Sequence, residues 1–258
     1  MGSLAGMPVA SNQDFEANEA IFIRPIIHQV AKVTVLSEGE VHAASSLLSV
    51  VDQEDIKPKD KLLLDKVLKW MPPLCRNSLD HLIVRYPEDS GDNSIERGQA
   101  TSSTILLRGD LPEHEKIAVL IHECGHIMDL GAYRGRVSAG KSVFPDGDVP
   151  TYNDDPSISF YQISWESSLK RRGGATKSDF VSGYAMQNPW EDLAEGVTYY
   201  ALREESFRER AEENAAIAQK LAWIETHIFG PEFVTAESKE WDGKIVWDVT
   251  KMEHKLEL

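Results

Sequence analysis

Residues 110–131 read DLPEHEKIAVLIHECGHIMDLG. Asp110 is placed as an N-cap, Pro112 falls in the first turn and Gly131 marks a stop, which predicts a helix of about five turns. Ile117, Leu120, Ile121, Cys124 and Met128 recur at i, i+3, i+4 and i+7 spacing, so one face of this helix is expected to be core. The same helix carries His122, Glu123 and His126 in the pattern His-Glu-x-x-His. Side chains four residues apart share a face, so the two imidazoles can grip one metal ion. Glu123, rotated by roughly 100° from His122, is placed to act as general base on a metal-bound water instead of binding the metal. The plain alternative is an exposed polar stripe that spells the motif by chance.

A catalytic zinc takes a third protein ligand and keeps one position open. Residues 188–195, NPWEDLAE, open a second helix with an asparagine cap and a proline at its first position. Glu191 and Glu195 are again four apart, so one can bind metal while the other braces a ligand histidine. The competing reading makes Glu191 part of a capping box with Asn188 and leaves Glu195 solvated. Asp129, seven residues after His122 on the same face, is a rival third ligand. Cys124 lies roughly 200° around the helix from His122 and is expected to be inert core packing.

Residues 122–126 together with residues 180–195, FVSGYAMQNPWEDLAE, resemble the gluzincin-like catalytic domains of the family that includes anthrax lethal factor and Pro-Pro endopeptidase. The likeness extends from about Leu79 to Tyr200. The resemblance implies a zincin-type fold and peptide-bond hydrolysis at one catalytic Zn2+ held by His122, His126 and Glu191. Glu123 would activate water, Tyr184 would stabilise the oxyanion, and Glu195 would stand behind the ligands. It also implies an extended protein or peptide substrate beside an edge strand at residues 101–107, with Thr101, Ser102, Ser103 and Thr104 as contacts, and a secreted or cell-envelope location. The chain departs from the family in showing no large translocation or recognition domain, so the role of a delivered toxin is not implied. A catalytically silent zincin-fold binding protein with a structural metal is the alternative, and an amidase acting on a nonpeptide bond would use the same chemistry.

Composition bounds these readings. The chain of 258 residues is 41% apolar and carries a net charge of −15, which argues against a nucleic-acid binder and is compatible with a basic polypeptide substrate. Two cysteines, Cys75 and Cys124, do not make a disulfide scaffold, and the compartment is not readable from them. No apolar run is long enough to predict a membrane span, and no signal peptide is visible at the start.

Residues 1–18 read as a tail or expression remnant, 19–78 as a helical lead-in packed on the catalytic domain, and 79–258 as the catalytic domain. Within the lead-in, residues 20–35 look extended and residues 40–51 and 58–70 helical, the last stopped by Met71-Pro72-Pro73. Residues 79–86 and 101–107 read as strands separated by a loop, and 131–180 as largely irregular. Phe160, Tyr161 and Trp165 are expected to pack in the core, and residues 170–174 to form a solvated basic turn. The helix opened by Asn188 and Pro189 runs through Ala201, a further helix spans 206–229, and Trp241, Ile245, Trp247 and Val249 alternate as a weak last strand. The fold class expected is α+β: a small twisted sheet above the metal-bearing helix, followed by a second helical layer.

Overall fold

The computed structural model describes residues 56–87, 96–237, 240–256 and 258, all of them in the compact unit Val41–Leu258. The expected tail 1–18, the extended stretch 20–35 and the helix 40–51 lie outside the described residues. Helix α1 (Pro58–Trp70) opens on proline and ends at Met71, whose extended backbone suits the residue before Pro72. Pro73 then starts a short helix, α2 (Pro73–Ser78), where the sequence reading had only a stop. Proline ends a helix when it follows one and begins one at its first position, and this pair does both.

Strands β1 (His81–Arg85), β2 (Gly98–Ala100) and β3 (Thr104–Arg108) form one sheet in the order β1-β3-β2. β3 runs parallel to β1, pairing Ile83 with Leu106, and antiparallel to β2, pairing Gln99 with Leu106. Leu82, Val84, Ile105 and Leu107 are fully buried, so the alternation of the strands puts one face of the sheet into the core. β2 lies in the stretch read as a loop. It is only three residues long and contains Gly98, so neither periodicity nor β-propensity marks it.

Helix α3 (Glu113–His126) follows and continues as a π-helical turn over Ile127–Ala132. Its cap is Pro112, two residues later than expected, because the Arg108 guanidinium occupies Asp110 through contacts of 2.6 and 3.0 Å. Gly131 does not stop the helix. It permits close approach, since a Cβ there would stand 2.1 Å from the Ser102 carbonyl oxygen. The expected apolar face is buried, but so is every residue from Lys116 to Gly125. Lys116 is tolerated there because it reaches Asp60 of α1 at 2.6 Å, and Tyr86 donates to the same carboxylate at 2.7 Å.

The cysteines correct the sequence reading. Cys124 does point into the core, but it forms a disulfide with Cys75 of α2, across a Cα–Cα distance of 5.4 Å. Their separation of 49 residues hides the pairing until α2 is laid against α3.

Residues 133–180 contain helix α4 (Ser157–Ser164) and a hairpin of β4 (Trp165–Ser167) and β5 (Lys170–Arg171). Phe160, Tyr161 and Trp165 are buried as expected, and residues 170–174 are exposed. Helix α5 (Pro189–Glu213) bends at Arg203, where φ is −148° and ψ is 39°. Asn214 then ends α5 and caps α6 (Ala215–Ile224), its side chain accepting from the amides of Ala216 and Ile217. The break expected before Ser206 is present as this kink, where two helical runs meet at Arg203, and a second interruption follows at Asn214. A π-helical turn over Glu225–Phe229 leads to Gly230 at φ 70°, the expected stop. Residues 241–249 form no strand, although the carbonyls of Val246 and Trp247 accept from the amides of Gly183 and Tyr184. Among the described residues no helix is long and apolar enough to cross a membrane.

Candidate metal centre

Helices α3 and α5 cross at Gly125 and Ala194. A Cβ on Gly125 would come 2.8 Å from the Ala194 Cα, so glycine inside the His-Glu-x-x-His segment lets the two backbones touch. Asn188 sets the start of α5 by accepting from the Glu191 amide at 2.8 Å. That capping role and a role for the Glu191 carboxylate do not compete, because the cap uses the backbone and leaves the side chain free to turn inward.

The crossing brings His122, His126 and Glu191 together. His122 Nε2 lies 3.1 Å from Glu191 Oε2 and 3.2 Å from His126 Nε2, and His126 Nε2 lies 3.4 Å from the same Glu191 oxygen. These three form a group able to hold a metal ion. Glu195 stands on the far side of His122, with Oε1 at 3.1 Å from Nδ1. A proton on Nδ1 that faces this carboxylate leaves the Nε2 lone pair directed at the group. Glu195 is fully buried and completes its contacts through Ser182 Oγ at 2.5 Å and the Val249 amide at 2.9 Å.

The electrostatics couple the two imidazoles to the carboxylates around them. Burial opposes a charge on His122, but Glu191 and Glu195 outweigh it and hold its pKa well above 6.5. His126 is likewise raised against its burial, mainly by Glu191. Burial alone would raise Glu191, yet the neighbouring His126 and His122 hold it far below the usual carboxylate range. The shifts are reciprocal: the carboxylates favour charged imidazoles and the imidazoles favour an ionised Glu191, each against its own burial.

Tyr184, in the turn Tyr184–Met186, joins this group by donating to Glu191 Oε1 at 3.3 Å, with its ring centroid 6.0 Å from that of His122. Glu123 is buried beneath β2. A Cβ added to Gly98 would lie 2.3 Å from Glu123 Oε1, so the strand passes directly over the carboxylate and a larger residue there would displace it. Asp129 lies outside this group. It is buried and accepts from Tyr161 at 2.6 Å, and burial pushes its pKa up to about 7.

The expected substrate strand needs correction. Thr104 begins β3, which is the central strand and has a partner on each side. Thr101, Ser102 and Ser103 form the turn from β2, where Thr101 Oγ1 accepts from the amide of Thr104 at 3.1 Å and the Ser103 carbonyl accepts from the amide of Asp80 at 2.7 Å. The edge that lies over Glu123 is β2. Sequence reasoning also missed Ser182 and the Val249 amide. Ser182 belongs to the quoted stretch 180–195 but has no motif of its own, and a backbone N–H carries no side-chain signal at all. Compared with family models, with curated proteins and with solved structures, the chain matches none of them.

Proposed function

We propose that this chain is a zinc-dependent endopeptidase of zincin type. One observation carries the reading: three metal-binding atoms from two separate helices lie 3.1, 3.2 and 3.4 Å apart. Tetrahedral zinc with bonds of about 2.0–2.1 Å holds neighbouring ligand atoms roughly 3.3 Å apart, so the spacing fits the ion closely. Two imidazoles and one carboxylate also leave a fourth position for water or substrate, as catalytic zinc sites do.

Zinc, when bound, polarises a peptide carbonyl and lowers the pKa of its water. The remaining work falls to the protein. Glu123 receives a proton from the attacking water at its carboxylate and passes it to the departing amine. The Tyr184 hydroxyl, already directed at Glu191, donates to the oxygen on which negative charge develops. β2 has no second strand partner among the described residues, so its outer edge can align an extended peptide above Glu123. The buried disulfide supports a location in an oxidising compartment, in keeping with secretion or the cell envelope.

The test pairs metal analysis with mass-spectrometric mapping of a peptide library digested by zinc-loaded protein and by Glu123→Gln. The substitution is expected to retain zinc and to slow cleavage by roughly 10²–10⁴-fold. Equal cleavage by both proteins would remove Glu123 as the base, and a wild-type protein that takes up no zinc would end the proposal.

A further inference from the structure

The carboxylate behind His122 is held by a segment far away in sequence. Glu195 Oε2 accepts from the Val249 amide at 2.9 Å, while its other oxygen faces His122 Nδ1 at 3.1 Å. The same segment grips the turn that carries Tyr184. The amides of Gly183 and Tyr184 donate to the carbonyls of Val246 and Trp247 at 2.9 and 2.6 Å. The Trp247 indole lies against Gly183 so closely that a Cβ there would come within 2.5 Å of its ring. The segment is itself anchored: Asp248 accepts from Arg97 at 2.7 Å and caps the following turn through the Thr250 amide at 2.8 Å. Arg97 directly precedes Gly98, the first residue of β2.

From these contacts we infer that residues 246–249 are a positioning strap for the candidate centre. The Val249 amide fixes the Glu195 carboxylate that orients His122, and the Val246 and Trp247 carbonyls fix the backbone beneath Tyr184. The inference rests on the zinc reading above. Its physical basis is that Glu195 is fully buried, so when the Val249 amide is lost Oε2 cannot turn to water to replace it and keeps only Ser182 Oγ. The carboxylate would then be held on that side by Ser182 alone, and the hydrogen bond that sets the His122 ring would loosen. Val249 is thus a positioning residue acting through Glu195, and it does so with its backbone.

The deciding variant is Val249→Pro. Val249 opens a 3₁₀ turn, and Asp248 before it is extended at φ −143° and ψ 119°, a conformation compatible with a following proline. The substitution therefore removes the N–H with little demand on the backbone. Val249→Ala trims the same buried side chain but keeps the donor. Zinc affinity, read by competition with a chromophoric chelator, is expected to fall by about 10–100-fold in Val249→Pro and to stay near wild type in Val249→Ala. Thermal unfolding of the metal-free proteins shows whether both variants are folded. If Val249→Pro does not fold, an amide-to-ester replacement at the same bond, made by ligating a synthetic C-terminal peptide, removes the donor without altering the side chain. Equal weakening in the proline or ester protein and in Val249→Ala would reduce the contact to packing and overturn the inference, as would zinc binding indifferent to loss of the N–H. Failure of the wild-type protein to bind zinc would overturn the functional reading first and this inference with it.

Discussion

Glu191 and Asp192 are consecutive residues in the first turn of α5, and both carboxylates point into the protein. Asp192 meets Lys220 Nζ at 2.7 and 2.8 Å and accepts from the Trp165 indole at 3.0 Å, while Lys220 also donates to the Asp179 carbonyl at 2.7 Å. Its charge is matched and its lone pairs are occupied. Glu191 instead faces two imidazole nitrogens and has the Tyr184 hydroxyl at 3.3 Å, with no lysine or arginine among its contacts. The two neighbours show that burial of a carboxylate does not by itself mark a functional site. A knot closed by a lysine balances its own charge, whereas a carboxylate that faces only imidazoles and a phenol belongs to a group able to hold a metal ion.

The largest effect is expected on the architectural side. Lys220→Met leaves Asp192 buried without its counter-charge and should cost about 3–5 kcal/mol of unfolding free energy in denaturant titrations, with zinc affinity near wild type. Glu191→Gln should act mainly on the metal, reducing zinc affinity by more than the ~10–100-fold typical of removing an outer partner, with a smaller loss of metal-free stability than Lys220→Met as the charged rings lose a carboxylate. If both substitutions harm stability alike, the distinction between the two carboxylates collapses. Tyr184→Phe sharpens the division within the site. It should lower kcat by roughly 10²–10³-fold, or about 3–4 kcal/mol of barrier, with zinc content unaltered. A parallel loss of zinc would instead make the tyrosine a support for Glu191.

The last comparison is made by pH. His122 and His126 are raised above 6.5 in the metal-free protein by their acidic neighbours, against the opposing influence of burial. Stability drawn from these charged rings is fully present below the unfolded value of 6.5 and is lost as pH rises through the raised folded values. Zinc requires the deprotonated rings, so its affinity should climb over that interval by about tenfold per pH unit for each proton displaced. Chelator competition from about pH 6 to 9 measures the slope. A flat profile would mean that the imidazoles are already neutral in the metal-free protein.

Much of this arrangement is legible along the chain. α1 spans the predicted residues 58–70, the start of α5 at Asn188-Pro189 follows from its cap, and His122, His126 and Glu191 meet with Glu195 behind His122. Errors fall where the signal is short or its partner is distant. β2 is three residues long, and α2 hides behind a proline pair. The strand that begins at Thr104 was read as an edge because strand order is not written in strand sequence, and both of its sides prove to be paired.

Local pattern, then, determined which residues could meet a metal: helical periodicity places His122 with His126 and Glu191 with Glu195, whatever lies around them. The chain order could not reveal that Cys75 bonds Cys124, that β2 covers Glu123, or that a backbone amide near the end of the chain holds Glu195. Those relations depend on how separate elements are brought into contact, and contact across the fold is set by the packing of the whole core rather than by the spacing of residues within one helix or strand.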